Sequence, residues 1–466
     1  MNTYLDIAAV RIQTYLTRWP NLLGRRAASQ MLSKATSADA VQSQLKRMGI
    51  SNVCLHGEAG DVDGVIGLRF DSVATDKEAS KLAEGLILQL RQQLPAAEWV
   101  AVWGNGEDYV SARSHTIQKK LNNGDTLAGY GPLNEVPFAR RCSLSAVDIA
   151  ISEIQRYEEK YSIGHDAQMR YTAAKGKTTR DSIEGPVETL HGRPSPNDFN
   201  ALAALAGNAV DRAGRQHKKN HLATIFIDGN GLGDFFTALV EQKISTKTEV
   251  SSAIVSATKS ALEQGINAME MEAIEVSKYT PLILHIVGGD DVLVSVPAAA
   301  AFPFTLTFVT AFDEHIQQAI QQHAPALDST TTLPSASAGV AITHKSFPFN
   351  MTVAIVERLL RRAKRKHRGL EASLCWTDVT RFGVDVEHRP TWTASALKEN
   401  EETLTTLATL GRSTVTGLAT AADHPVEQIA AARLRVELRR DKQAQLVPFA
   451  SNPQRFLEMI ELARWW

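Results

Sequence analysis

Three carboxylates, Asp228, Asp290 and Asp291, sit where residue type and spacing could support chemistry. Asp228 follows the apolar run Leu222 to Ile227 and opens Asp228-Gly229-Asn230-Gly231-Leu232-Gly233. A short β-branched run bounded in this way predicts a buried strand leading into a tight turn. Asp290 and Asp291 follow Gly288 and Gly289 between the runs Leu282 to Val287 and Val292 to Val296, which predicts a hairpin with its carboxylates at the tip. If the first strand lies beside that hairpin, Asp228 and Asp290 converge. Two carboxylates roughly 4 Å apart repel by about 4 kcal/mol at an effective dielectric of about 20. A divalent cation removes that conflict. Hard oxygens suit Mg²⁺ or Mn²⁺, and phosphoryl transfer uses such ions as a pair about 4 Å apart that bridges substrate phosphates. The expected cofactor is therefore two Mg²⁺ or Mn²⁺ per site.

Either motif alone has a plainer reading. Gly-Gly-Asp-Asp suits a solvated hairpin tip, and Asp-Gly-Asn-Gly suits any tight turn. What separates them from ordinary turns is their occurrence together, each flanked by buried-strand sequence and in the order that one sheet would require.

The elements that must hold these carboxylates follow from periodicity. The strand ending at Asp228 is expected to be preceded by a helix over Phe199 to Arg215, with Lys218 and Lys219 close to the site. After it come a helix over Ser251 to Lys278, the hairpin and a helix over Phe308 to Gln322. A strand over Ser335 to Ile342, a helix over Thr352 to Lys366 and a strand over Ser373 to Trp376 close the unit. Residues 1 to 130 repeat the order: strands at Tyr4 to Val10, Val53 to Leu55, Gly64 to Phe70 and Trp99 to Trp103, and helices over Leu22 to Met48 and Lys77 to Leu94. The expected fold class is α+β, with two ferredoxin-like β-α-β-β-α-β units and a C-terminal helical domain. The expected domains are 1–130, 131–200, 201–385 and 386–466. The middle stretch reads as a helix over Ser145 to Glu159 and a linker over Tyr161 to Asn197, rich in Gly, Thr, Ser, Pro and charge. Beyond 386 the sequence is helical, and Trp465-Trp466 reads as core or as a partner contact.

The first unit carries Glu58, Asp61 and Asp63 in its hairpin region and Asp6 inside its first strand, but no Gly-Gly-Asp-Asp. No second active site is expected there. The basic run Arg361 to Arg368 ends the helix from Thr352, where the helix dipole favours cations whatever the function. Within it Lys364 shares a face with Glu357, Leu360 and Ala363, while Arg361, Arg365 and Arg368 fall on the neighbouring, more exposed stripe.

The formal net charge of 466 residues is −1, so any nucleic-acid partner must be held by a local patch or a complex. Cys54, Cys142 and Cys375 make neither a disulfide framework nor a complete zinc site. With no secretory leader or long apolar span, the expectation is a soluble cytoplasmic protein without a membrane partner.

Taken together, the paired units, Asp228 to Gly233, Gly288 to Asp291, Ser335-Ala336-Ser337-Ala338-Gly339 and Leu360 to Lys364 resemble the palm polymerase large subunit of type III CRISPR effector complexes. Leu5 to Gln13, with Arg25 and Ala28-Ser29 to Leu32-Ser33, is similar to that family's inactive first palm. The resemblance implies a synthase joining ATP through 3′-5′ bonds into cyclic oligoadenylate. It implies that Asp228, Gly229 and Asp290 hold the metals and that Asp291 assists. Asn230, Gly231, Gly233, Gly288, Gly289, Ser337 and Lys364 would bind the nucleotide, with Ser337 near the base and Lys364 on phosphate. Implied partners are nucleoside triphosphates, ATP first, within an RNA-guided effector complex or a homo-oligomer. Larger members begin with a His-Asp nuclease domain and often carry a four-cysteine zinc ribbon between the palms. Here the sequence starts at the first palm, so DNA cleavage is not expected. Arg141-Cys142-Ser143-Leu144-Ser145 keeps one cysteine of a degenerate ribbon, and a lone cysteine cannot hold zinc.

Two other readings compete. A diguanylate cyclase of the related Gly-Gly-(Asp/Glu)-Glu-Phe fold is disfavoured by Val292 after Asp291 and by the preceding palm. A non-catalytic scaffold for an RNA-containing complex is disfavoured by the intact carboxylates.

Overall fold

Among the described residues, apolar and β-branched runs become the strands of three sheets, of five, six and two strands, in the computed structural model. It describes residues 1–19, 22–56, 64–129, 138–156, 159–175, 192–206, 220–242, 244, 247–272, 278–441 and 443–466. The chain divides into two units: Met1–Pro186 with Leu239–Ser252 and Pro348–Asn350, and Val187–Ala238 with Ala253–Phe347 and Met351–Trp466.

In the first unit, β1 (Asn2–Val10), β2 (Val53–Leu55), β3 (Val65–Phe70), β4 (Glu98–Gly106) and β5 (Leu127–Gly129) form a sheet of order β2-β3-β1-β4-β5. The first four strands have ferredoxin-like order, and β5 extends the edge beside β4. The helix Asp76–Gln93 starts on a capping box between Thr75 and Glu78 and buries Leu82, Leu86, Ile87 and Leu90. Asp6 is buried in β1, where Arg113 donates to its Oδ2 at 2.8 Å and the Tyr109 hydroxyl at 2.9 Å. Its Oδ2 is thus paired, by an arginine that reaches it from a partly exposed position. Glu58, Asp61 and Asp63 lie outside the described residues.

The middle stretch corrects the sequence reading. Instead of a helix over Ser145 to Glu159, β6 (Ser152–Arg156) and β7 (Glu159–Ile163) pair antiparallel, and the expected linker contains a helix, His165–Lys175. The cause is non-local. Arg18 Nε donates to Asp148 Oδ2 at 3.1 Å, and Ser145 Oγ donates to the same oxygen at 2.8 Å, pinning the turn that feeds the hairpin. The Ser145 amide donates to the buried Cys142 sulfur at 3.4 Å. Residues 176–191 of that expected linker are outside the described set.

The second unit holds β8 (His221–Asn230), β9 (Ile283–Gly288), β10 (Asp291–Pro297), β11 (Ser335–His344), β12 (Ser373–Asp378) and β13 (Thr391–Thr393), in the order β13-β12-β11-β8-β10-β9. The ferredoxin-like core is β11-β8-β10-β9, with β12 and β13 added beside β11. The helix expected from Phe308 begins at Ala301, and that expected to end at Lys278 is described over Lys247–Glu272. Only Phe199–Ala204 of the helix leading to β8 is described as helix, and Lys218 and Lys219 are outside the described residues.

The helix Phe349–His367 connects β11 to the parallel strand β12, as a parallel crossover requires. It packs so closely on β11 that a Cβ built on Gly339 would lie 2.2 Å from the Val356 carbonyl oxygen and 2.7 Å from the Leu360 nitrogen. Only glycine admits that approach. The C-terminal helices join this unit's core. Trp465 is buried and its indole N–H donates to Asp378 at 3.2 Å, while Arg389 pairs with Glu461 at 3.0 Å. Trp465 is therefore core. Among the described residues no helix is long and apolar enough to cross a membrane.

Candidate active site

The site forms where the end of β8 meets the β9–β10 turn. On the ladder, Val292 of β10 stands opposite Ile227 of β8, so the next pair places Asp291 beside Asp228. Gly288 pairs with Asp291, which leaves Gly289 and Asp290 as a two-residue turn, and Gly289 has φ +60°. A glycine at the first central position is what a type II′ hairpin needs. The turn is tied down by Thr258, whose hydroxyl contacts the Gly289 carbonyl at 2.8 Å and the Ile254 carbonyl at 3.0 Å. Nothing in its local sequence marks Thr258, because this contact depends on how its helix meets the hairpin.

Asp290 turns back toward β8, where its Oδ2 accepts from the Gly229 amide at 3.1 Å. A Cβ on Gly229 would meet that oxygen at 2.5 Å, so a side chain there would push the Asp290 carboxylate away from the amide it accepts from. Gly231, Gly233, Gly288 and Gly289 differ: a Cβ on any of them would meet nothing within 4 Å. These four leave open ground beside the carboxylates instead of serving tight packing.

Topology brings in the cation. β11 is antiparallel to β8, so its start lies beside the end of β8, with Ser337 opposite Asp228 and Ser335 opposite Asn230. The following helix must run back along the sheet to begin parallel β12, and its last turn therefore returns to Asp228. There Lys364 Nζ donates to Asp228 Oδ2 at 2.7 Å and to the Gly229 carbonyl at 2.6 Å. Arg361 and Arg365 are exposed on the stripe that the helical phase gives them, whereas Arg368, also exposed, lies past the helix end with φ +54° and so is not on that stripe.

Ser337 and Asn230 are buried behind the carboxylates. Asn230 Nδ2 donates to Ser335 Oγ at 2.8 Å and to Ser337 Oγ at 3.0 Å, and Ser337 shares a hydrogen bond with Ser373 at 2.8 Å. This chain of hydroxyls fixes the Asn230 amide at the strand exit. Ser373 belongs to it although no local motif surrounds that residue.

The electrostatics reflect crowding. Burial, followed by repulsion from Asp228, raises the Asp290 carboxyl above its ordinary range. The same causes, with Asp290 added, push Asp291 up to about 7. The Lys364 ammonium opposes both shifts. Among the described residues no group of three or more His, Cys, Asp and Glu forms a ready metal cage. The donor set still fits Mg²⁺, which retains water and binds through one or two carboxylates together with substrate phosphates. Crowded carboxylates with a cation already on Asp228 and the Gly229 carbonyl point to the same chemistry.

Beside the start of β11, Asp313 Oδ1 accepts from the Ala336 amide at 3.1 Å. Burial pushes its carboxyl up to about 7, opposed by that hydrogen bond and aided by nearby Glu314. Its folded value exceeds its unfolded one, so its stabilising contribution is full below about 4 and is lost as pH rises through about 7. Asp313→Asn keeps an acceptor for Ala336 and removes the titration. The stability of the wild type relative to this variant should fall by about 3 kcal/mol between pH 5 and pH 8, at about 1.36 kcal/mol per unit over the two units up to the folded value. Denaturant unfolding of both proteins at the two pH values measures it, and a pH-independent difference would show that Asp313 does not titrate in this range.

Residues 221–371 match a family model described as Cas10/Cmr2, second palm domain. No curated protein matches the chain in sequence. Among solved structures, Csm1 in T. onnurineus is similar at 13% identity and a TM-score of 0.56, covering 100% of this chain and 69% of that one. The Csm1–Csm4 cassette in complex with cA4 is similar at 13% identity and a TM-score of 0.56, over 98% of this chain and 70% of that one. The cassette in complex with one ATP is similar at 12% identity and a TM-score of 0.57, over 100% and 70%. At these identities the likeness is one of fold.

Proposed function

We propose that this chain is a palm-domain protein of the Cas10 kind whose second palm converts ATP into cyclic oligoadenylate by 3′-5′ nucleotidyl transfer, in a CRISPR-type defence signalling role. The observation that carries this reading is the convergence of Asp228, Asp290 and Asp291 at one strand exit, with Lys364 on Asp228 and open ground over four glycines. In the reaction, the 3′-hydroxyl of one nucleotide attacks the α-phosphorus of another. A P–O bond forms, pyrophosphate leaves and the hydroxyl proton passes to solvent or a carboxylate.

Asp228, the Gly229 carbonyl and Asp290 would hold the divalent cations, which supply neutralisation of the triphosphate and activation of the hydroxyl. Asp290 also accepts from the Gly229 amide, which ties the β9–β10 turn to the end of β8. Asp291, next to Asp228 across the ladder, assists from the adjoining strand. Gly231, Gly233, Gly288 and Gly289 leave space for phosphates. Ser335, Ser337 and Ser373 orient Asn230 from below. In this reading Csm4 in the similar cassettes stands for the kind of effector partner this chain would take.

Incubation with each labelled nucleoside triphosphate and Mg²⁺ or Mn²⁺ tests the proposal. Labelled ATP should give a phosphatase-resistant cyclic product. Product from GTP alone would favour the diguanylate cyclase reading, and absence of product from every nucleotide, including with an effector complex present, would favour the scaffold.

A further inference from the structure

Lys364 directs its hydrogen bonds at the two oxygens that the proposed function assigns to a metal, Asp228 Oδ2 at 2.7 Å and the Gly229 carbonyl at 2.6 Å. An ammonium has three donors and no acceptor, so it satisfies such oxygens in the manner of a hard cation. On the basis of that functional reading, we propose that Lys364 is a resident counter-ion. It holds Asp228 and the Gly229 carbonyl together in the ligand-free protein, and a divalent cation enters by displacing its ammonium toward the triphosphate.

Three features support the exchange. The helix carrying Lys364 is clamped to β11 where Gly339 meets Val356 and Leu360, which fixes the root of the side chain. The four-carbon stem is flexible, so the charged head can move while the backbone stays still. The Lys364 side chain keeps 27% of its surface exposed, and Asp228 keeps 34%, so the pair borders solvent instead of being sealed in the core. A lysine in that position can leave without opening the fold. The ammonium is also needed: with Asp291 next to Asp228 on the ladder and Asp290 bonded to Gly229, removing it leaves the carboxylates facing one another.

The exchange has a thermodynamic consequence. Metal alone must compete with a tethered cation, whereas metal arriving with a triphosphate gives the displaced ammonium a new anionic partner. Metal and nucleotide therefore bind with positive coupling, and Lys364 is one source of it.

Mn²⁺ titration into nucleotide-free protein, with free Mn²⁺ followed by electron paramagnetic resonance, tests the proposal on wild type, Lys364→Met, Lys364→Gln and Asp228→Asn. Both Lys364 variants should bind Mn²⁺ about tenfold more tightly than wild type. A non-hydrolysable ATP analogue should tighten Mn²⁺ binding by wild type more than by either variant. Lys364→Gln retains a donor for the Gly229 carbonyl and guards against misfolding of the methionine variant. If Asp228→Asn loses Mn²⁺ while the Lys364 variants bind no better than wild type, the counter-ion proposal is overturned and the metal-site reading stands. If Asp228→Asn binds Mn²⁺ as wild type does, both fall together.

Discussion

Asp228→Ala and Asp290→Ala are each expected to abolish product formation, with turnover lower by about 10³-fold or more, given that metal-assisted charge stabilisation supplies several kcal/mol. The two losses have different structural settings. Asp228 is held by Lys364, and its removal also frees that ammonium. Asp290 accepts from the Gly229 amide, so its removal costs one hydrogen bond, about 1 kcal/mol, in addition to a metal ligand. Asp290→Asn separates these effects because the amide oxygen still accepts from Gly229 while the charge is gone. It should be nearly as inactive as the alanine variant yet melt close to wild type. Radiolabelled ATP conversion and thermal melting of the four proteins provide the comparison, and near wild-type turnover in Asp290→Ala would remove Asp290 from the catalytic assignment.

The carboxylate arrangement was legible in the sequence because its signals are local. A strand that ends in Asp-Gly and a hairpin that turns on Gly-Gly-Asp-Asp specify their own backbones, and neighbouring strands then bring Asp228 and Asp291 together. The face of Lys364 was legible through helical period. Its partner was not, because contact with Asp228 depends on a parallel crossover from β11 to β12 that carries the helix end back to the strand exit. The stretch near Asp148 was misread for a related reason. Arg18, far away in the chain, anchors a turn that makes Ser152–Arg156 a strand, and local composition does not record that anchor. The serines behind Asn230 are similarly hidden, since Ser335, Ser337 and Ser373 look like ordinary strand residues until the register aligns them.

Lys364→Ala is expected to lower turnover about a hundredfold or more, while Arg365→Ala should change it by no more than about threefold. Both residues lie in the last turn of one helix, so a general effect of positive charge at its C-terminus would treat them alike. Their surroundings differ. Lys364 reaches Asp228 and the Gly229 carbonyl, whereas Arg365 is exposed, where charge is screened over a Debye length of about 8 Å at physiological salt. A cation aimed at charge that develops during phosphoryl transfer is worth on the order of 3 kcal/mol, which gives the hundredfold figure. Displaced from Asp228, the Lys364 ammonium would meet the triphosphate and act there, so its loss should appear mainly in kcat. Lys364→Arg keeps the charge but presents a planar fork in place of a point charge, and should recover only part of the rate. Steady-state kinetics at saturating Mg²⁺ separate the cases. If Arg365→Ala is the more damaging substitution, the phosphate contact belongs to the exposed stripe, and Lys364 serves Asp228 alone.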